Sequence, residues 1–188
     1  MAGYVAAGSG LLALITIALF FAVGQPFGTL NDLSLLVMTL AIAPIMLGFY
    51  ELGGRTPIGL ARLSLAGGIG AVVVWSIVQT AMIVGVLSFD YGRPAIGAYA
   101  LESIALLVIG AWLAGANPLA GPWLRPVPRW LGMLSGLGFI GVGVGLILGG
   151  ITHPLTYIGG IGYQVLFPLW AVLIGRTLFG LDAVSGAS

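Results

Sequence analysis

The 188-residue chain contains no cysteine and no lysine, a single histidine, and only 6% charged residues. Each shortage excludes a chemistry. Without cysteine there is no disulfide, thiolate nucleophile, iron–sulfur ligation or cysteine zinc site. Without lysine there is no Schiff base, which removes a retinal-linked photoreceptor or pump. His153 alone cannot furnish both axial ligands of a haem. The five acids are scattered along the length and suggest no metal site, and no cofactor is expected. A net charge of +1 offers no basic patch for nucleic acid.

The shortage of charge carries furthest. A soluble domain needs about 25% charged residues to cover its wet surface, and six arginines with five acids fall well short of that. What is present instead is apolar: 60% of residues are hydrophobic and the mean hydropathy is +1.17. The fold expected is an all-α membrane protein, one transmembrane domain over residues 1–188, with the lipid bilayer as its first partner.

A bilayer-spanning helix needs about 20 apolar residues. Six such stretches run roughly over 4–24, 33–51, 62–88, 96–116, 130–152 and 157–177. Turn chemistry separates them: Gln25-Pro26-Phe27-Gly28 with Asn31-Asp32, Gly53 to Pro57, Asp90 to Pro94, the proline-rich Asn117 to Arg129, and His153-Pro154. The first stretch lacks a basic flank and a small-residue cleavage site, so it reads as a retained span. Arg55, Arg62, Arg125, Arg129 and Arg176 fall on the side shared by both termini, and only Arg93 falls on the other. That bias places both termini in the cytoplasm of a plasma (inner) membrane, with Trp112, Trp123, Trp130 and Trp170 gathered toward the same side.

The first, third and fifth spans open alike, with Gly8-Ser9-Gly10, Gly68-Ile69-Gly70 and Gly136-Leu137-Gly138. The second and sixth each carry a proline in their inner half, Pro44 and Pro168. Three parallel helix hairpins would give this pattern, and such repeats frame binding sites in transporters. The arginine-then-Gly-x-Gly openings and the closing run Pro168 to Arg176 resemble small bacterial six-helix integral membrane proteins of the domain-of-unknown-function type. That resemblance implies the six-helix architecture and no particular activity.

Gly141, Gly145 and Gly149 form a ridge at a spacing of four, so one helix face lets another backbone approach closely. The ridge serves packing within the chain, a membrane protein partner, or a second copy. Pro44 and Pro168 remove backbone donors and should kink their helices, either as fixed shape or as hinges.

Polar residues at depth are costly. Glu102 lies about seven residues, or about 10 Å, into the fourth span, where an ionised carboxylate costs about 2–3 kcal/mol or more. Gln79 and Gln164 lie at a similar depth on the third and sixth spans, with Tyr99 and Tyr163 close by in sequence. As helix glue, Glu102 would be protonated and bonded to Gln79 or Gln164. As a ligand site, the five residues would line a cavity. Asp90 with Arg93, and Glu51 with Arg55, read as exposed ion pairs of little energetic weight, and His153 as an interfacial turn residue. Three roles follow. The first is a non-catalytic accessory or structural subunit of a membrane complex. The second is a small-solute or lipid transporter using the Glu102 level, and the third an intramembrane acid–base enzyme with Glu102 as acid.

Overall fold

The computed structural model describes residues 2–52, 58–88 and 98–185. Among these the α-helices are α1 (Ala2–Val23), α2 (Phe27–Leu40), α3 (Ile42–Leu52), α4 (Ile58–Ile83), α5 (Ala98–Leu119), α6 (Pro126–Gly149), α7 (Pro154–Ile161) and α8 (Phe167–Ser185). No strand occurs among the described residues. α2 runs into α3 as one span interrupted at Ala41, and α7 runs through a π-helical turn, Gly162–Leu166, into α8. The result is six helices long and apolar enough to cross a membrane, of 21 to 27 residues each. At 1.5 Å per residue, even the shortest covers the roughly 30 Å hydrocarbon core.

Most span boundaries shift by a few residues from the sequence reading, the fifth span opening at Pro126 within the expected proline-rich loop, and the two largest shifts have local causes. The second span begins at Phe27 rather than 33. Gly24, at a φ of 90°, completes the turn with Gln25 and Pro26 alone, so Asn31 and Asp32 belong to the helix and not to the loop. The third span ends at Ile83 rather than 88, because Gly85 takes a φ of 77° that a right-handed helix cannot continue through. Arg55, Asp90 and Arg93 lie outside the described residues, and with them both expected surface ion pairs.

Helical regularity breaks ahead of both Pro44, which is exposed, and Pro168, which is buried. Pro44 cannot donate to the Leu40 carbonyl, and α2 stops at Leu40. Pro168 cannot donate to the Gln164 carbonyl. The chain widens there, and the Phe167 N–H reaches back five residues to the Gly162 carbonyl.

Each span packs against its neighbours in sequence, and α8 closes on α1, so the six spans form a ring. α6 is the most tightly embedded. On one side a Cβ at Gly136 would overlap backbone atoms of Gly110 and Ala114 of α5; on another, a Cβ at Gly138 would overlap the backbone of Gly162. Only bare positions allow backbones this close, and in lipid such van der Waals contact replaces the hydrophobic gain. The ridge expected from sequence faces the same way: Gly141 approaches Gly159, Gly145 meets Thr156, and Gly149 meets His153.

Much of the ring is filled. Leu35, Met38, Ile42, Trp75, Ile109, Phe139, Phe167 and Trp170 are buried almost completely. An aromatic column runs through this core. Tyr163 and Phe167 both pack edge-on to Phe139 with ring centroids 4.9 Å apart, and Phe167 stacks on Trp170 at 5.9 Å. The column ends where Trp170 Nε1 donates to Asn117 Oδ1 at 3.0 Å. Beyond it, the α5–α6 loop is clasped by Arg129, whose guanidinium donates to the Ala120, Gly121 and Leu124 carbonyls at 3.0, 2.9 and 3.0 Å. Outward-facing Phe21, Leu63, Ile77 and Ile158 are mostly exposed on the ring surface, an apolar coat suited to lipid and not to water.

Candidate functional site

The ring is not filled at the end that carries the α6–α7 connection. There a cavity of about 240 Å³ is lined by residues from five of the six spans and by Ile151 of that connection. α2 contributes Asp32, α4 Trp75 and Gln79, α5 Glu102 and Leu106, and α6 Val142 and Leu146. Thr156 and Gly160 of α7 and Tyr163 and Gln164 of the π turn complete it.

Four of the five residues expected from the sequence, Gln79, Glu102, Tyr163 and Gln164, therefore meet on one wall surface. Tyr99 does not line the cavity; its carbonyl instead accepts the Ser103 hydroxyl at 2.8 Å. Asp32, Trp75 and Thr156 join the wall without having been singled out. The signal for Asp32 was available: Pro26 suits a helix start, which puts Asp32 inside the following helix and not in its preceding turn.

Glu102 is 5% exposed, and its Oε2 has no hydrogen-bond partner among the described residues. The bond that would make it helix glue, to Gln79 or Gln164, does not form. Gln164 is already engaged, because its Oε1 accepts from Asn31 Nδ2 at 3.1 Å. Asn31 Oδ1 in turn lies 3.4 Å from the Thr16 hydroxyl. The Thr16 hydroxyl donates within α1, to the Leu12 carbonyl at 2.9 Å, so it is the Asn31 amide of α2 that fixes the Gln164 amide at the cavity edge. The π turn itself follows from Pro168, so the proline shapes the backbone that presents both Tyr163 and Gln164.

The second acid, Asp32, is half-buried and reaches the cavity from α2, while Glu102 comes from α5; α4 packs against both helices. Tyr163 lines the same cavity as both carboxylates. Its ring centroid is 6.4 Å from that of Trp75, with the planes at 70°. No basic side chain lines the cavity among the described residues. Nor do three or more His, Asp or Glu side chains gather as metal ligands among them.

Gly160 has a distinct place in this wall. A Cβ built there would meet no atom within 4 Å, whereas its neighbour Gly159 is wedged against the Val142 nitrogen and the Gly138 carbonyl. His153, by contrast, is structural: its Nδ1 accepts the Leu155 N–H at 3.3 Å and caps α7. In chemical terms the site can accept hydrogen bonds and balance positive charge beside two aromatic rings. No family model, no curated protein and no solved structure matches the chain.

Proposed function

We propose that this chain is a membrane carrier that receives a small polar solute in the Glu102 cavity. The observation that carries the reading is Glu102 itself, a residue that lines an open space and whose buried carboxylate keeps one oxygen without a hydrogen-bond partner. In a membrane an ionisable side chain of this kind is costly to keep. Helix glue would have spent it on Gln79 or Gln164.

The arginine bias supports an orientation with both termini in the cytoplasm of a plasma membrane, so the cavity faces the outside. The aromatic column below it closes the path inward, and the helix breaks before Pro44 and Pro168 are the places where that path would open. An accessory subunit of a membrane complex is the competing role. It gives no reason for the unpartnered carboxylate, and the Gly141–Gly145 face it would offer to a partner is turned toward α7. An intramembrane acid–base enzyme gains a second acid in Asp32, and is the role to examine if a bound molecule is converted and not moved.

The absence of native cysteine makes the test direct. In intact cells, Gly160→Cys should react with a membrane-impermeant thiol reagent, while Leu148→Cys, exposed on the lipid-facing surface, should not. Carrier function further requires that Gly160→Cys also become reactive from the inner side of everted vesicles. Protection of Gly160→Cys from both sides would refute a water-accessible site, and with it this function.

A further inference from the structure

We infer that the solute held in the Glu102 cavity is a small organic cation, an alkyl- or quaternary ammonium compound; this rests on the carrier reading above. Four observations converge on that class.

The first is charge. Glu102 and Asp32 both line the cavity, and no basic side chain among the described residues answers them. An anion would be repelled by whichever of the two acids is ionised, in surroundings of low dielectric where like charges repel far more than in water. A cation has the opposite experience.

The second is the unspent oxygen. Glu102 is buried to 5% exposure and its Oε2 is unpartnered. The positive field of an ammonium or quaternary nitrogen in the adjoining space would offset the burial of this oxygen. An acceptor-only solute would leave it unsatisfied, at the cost that any buried polar atom incurs.

The third is the aromatic pair. Trp75 and Tyr163 stand edge-to-face at 6.4 Å within the same wall as the two acids. Aromatic faces attract cations through the ring quadrupole, and a ring beside a carboxylate is how ammonium groups are recognised. Both rings are held in place, Tyr163 by Phe139 at 4.9 Å and Trp75 by its near-complete burial.

The fourth is size and lining. The cavity of about 240 Å³ exceeds the roughly 30 Å³ share of one water several times over. It falls just below the range of about 300–1,000 Å³ typical of drug-sized ligands. A bare metal ion would leave most of it empty and would ask for six or more oxygen ligands. Leu106, Val142, Leu146 and Ile151 supply apolar wall instead, which suits carbon substituents on a charged nitrogen.

The experiment uses the full chain in lipid nanodiscs, titrated calorimetrically at constant ionic strength. The probes are tetramethylammonium and ethylammonium, against sodium, acetate and urea. Saturable binding of the ammonium probes is expected, weakened at least about tenfold in Glu102→Gln and in Asp32→Asn, and weakened also in Trp75→Leu. Circular dichroism and thermal unfolding verify that the amide variants fold. Should they not, Gly160→Trp fills the cavity from a position with free space and should abolish binding on an intact fold.

Three results would overturn the inference: acetate or urea binding as tightly as the ammonium probes, sodium alone binding in a Glu102-dependent way, or ammonium binding unchanged in Glu102→Gln. Failure of the substrate class is separable from failure of the site. If Gly160→Cys is labelled yet no ammonium probe binds, the cavity stands and its ligand is of another class. If Gly160→Cys is unreactive from both sides, the carrier reading itself has failed.

Discussion

Asn31 shows how much one amide can organise in a bundle without water. It donates to Gln164 at 3.1 Å and so joins the second and sixth spans beside the cavity, with the Thr16 hydroxyl of α1 lying 3.4 Å from its Oδ1. Asn31→Leu should therefore lower stability by about 0.6–2 kcal/mol, the usual range for interhelical hydrogen bonds in membranes, measured by thermal or denaturant unfolding in detergent. It should also loosen Gln164, so ammonium binding weakens although Asn31 does not line the cavity. Glycine gives an even sharper contrast between adjacent residues. Gly159→Ala places a methyl 2.5 Å from the Val142 nitrogen, an overpacking expected to cost about 1–3 kcal/mol or more. Gly160→Ala meets nothing within 4 Å and should stay within about 0.5 kcal/mol of the parent. Equal losses at the two positions would contradict the described α6–α7 packing.

At the scale of elements, the broken sixth span is the decisive one. Pro168 denies the Gln164 carbonyl its donor, and the π turn Gly162–Leu166 inserts an extra residue ahead of it. Pro168→Ala should let the turn relax to α-helix, rotating the preceding segment by about 100° relative to α8. Tyr163 and Gln164 would swing off the wall. The expected outcome is an unchanged helical circular dichroism spectrum with ammonium affinity reduced severalfold; intact affinity would show that the π turn is incidental.

The same element explains what the sequence could and could not disclose. Depth arithmetic brought Gln79, Glu102 and Gln164 to one level, because residue counts from a span end convert directly to distance, and Tyr163 came in as the sequence neighbour of Gln164. Depth says nothing of azimuth, and Tyr99 shares the helix with Glu102 without reaching the cavity. Asp32 was hidden by composition, since Asn-Asp after a proline reads as turn chemistry. Its true setting depended on Gly24 closing the turn early. The direction of the glycine ridge was equally out of reach, for spacing defines a face and only the packed ring defines what the face meets.

For the molecule as a whole, six helices that each cross the membrane would leave the start of α1 and the end of α8 on one side of it, whichever side that is. The arginine bias predicts the cytoplasm. In intact cells Thr152→Cys, at the α6–α7 connection, should react with an impermeant reagent and Glu51→Cys, at the opposite end of the ring, should be protected. The reverse pattern would invert the molecule and turn the Glu102 cavity inward. The closed ring also concentrates the core between cavity and inner loops, so mutations along Phe139, Phe167 and Trp170 should act on stability and on inward passage together.

Arg129 belongs to two moments in the life of this chain. While the helices are being inserted, its free charge would count with that of Arg125 toward the side of the membrane on which the α5–α6 loop is kept. Once the ring has closed, the same guanidinium is occupied by three backbone carbonyls, while Arg125 remains exposed. Arg129 is one of several charges that would share in orienting the chain but the one that makes this clasp, so orientation and architecture come apart under mutation. Arg125→Gln should leave the mature protein as stable as before, and Arg129→Gln should leave the orientation intact while unfastening the loop that Arg129 holds.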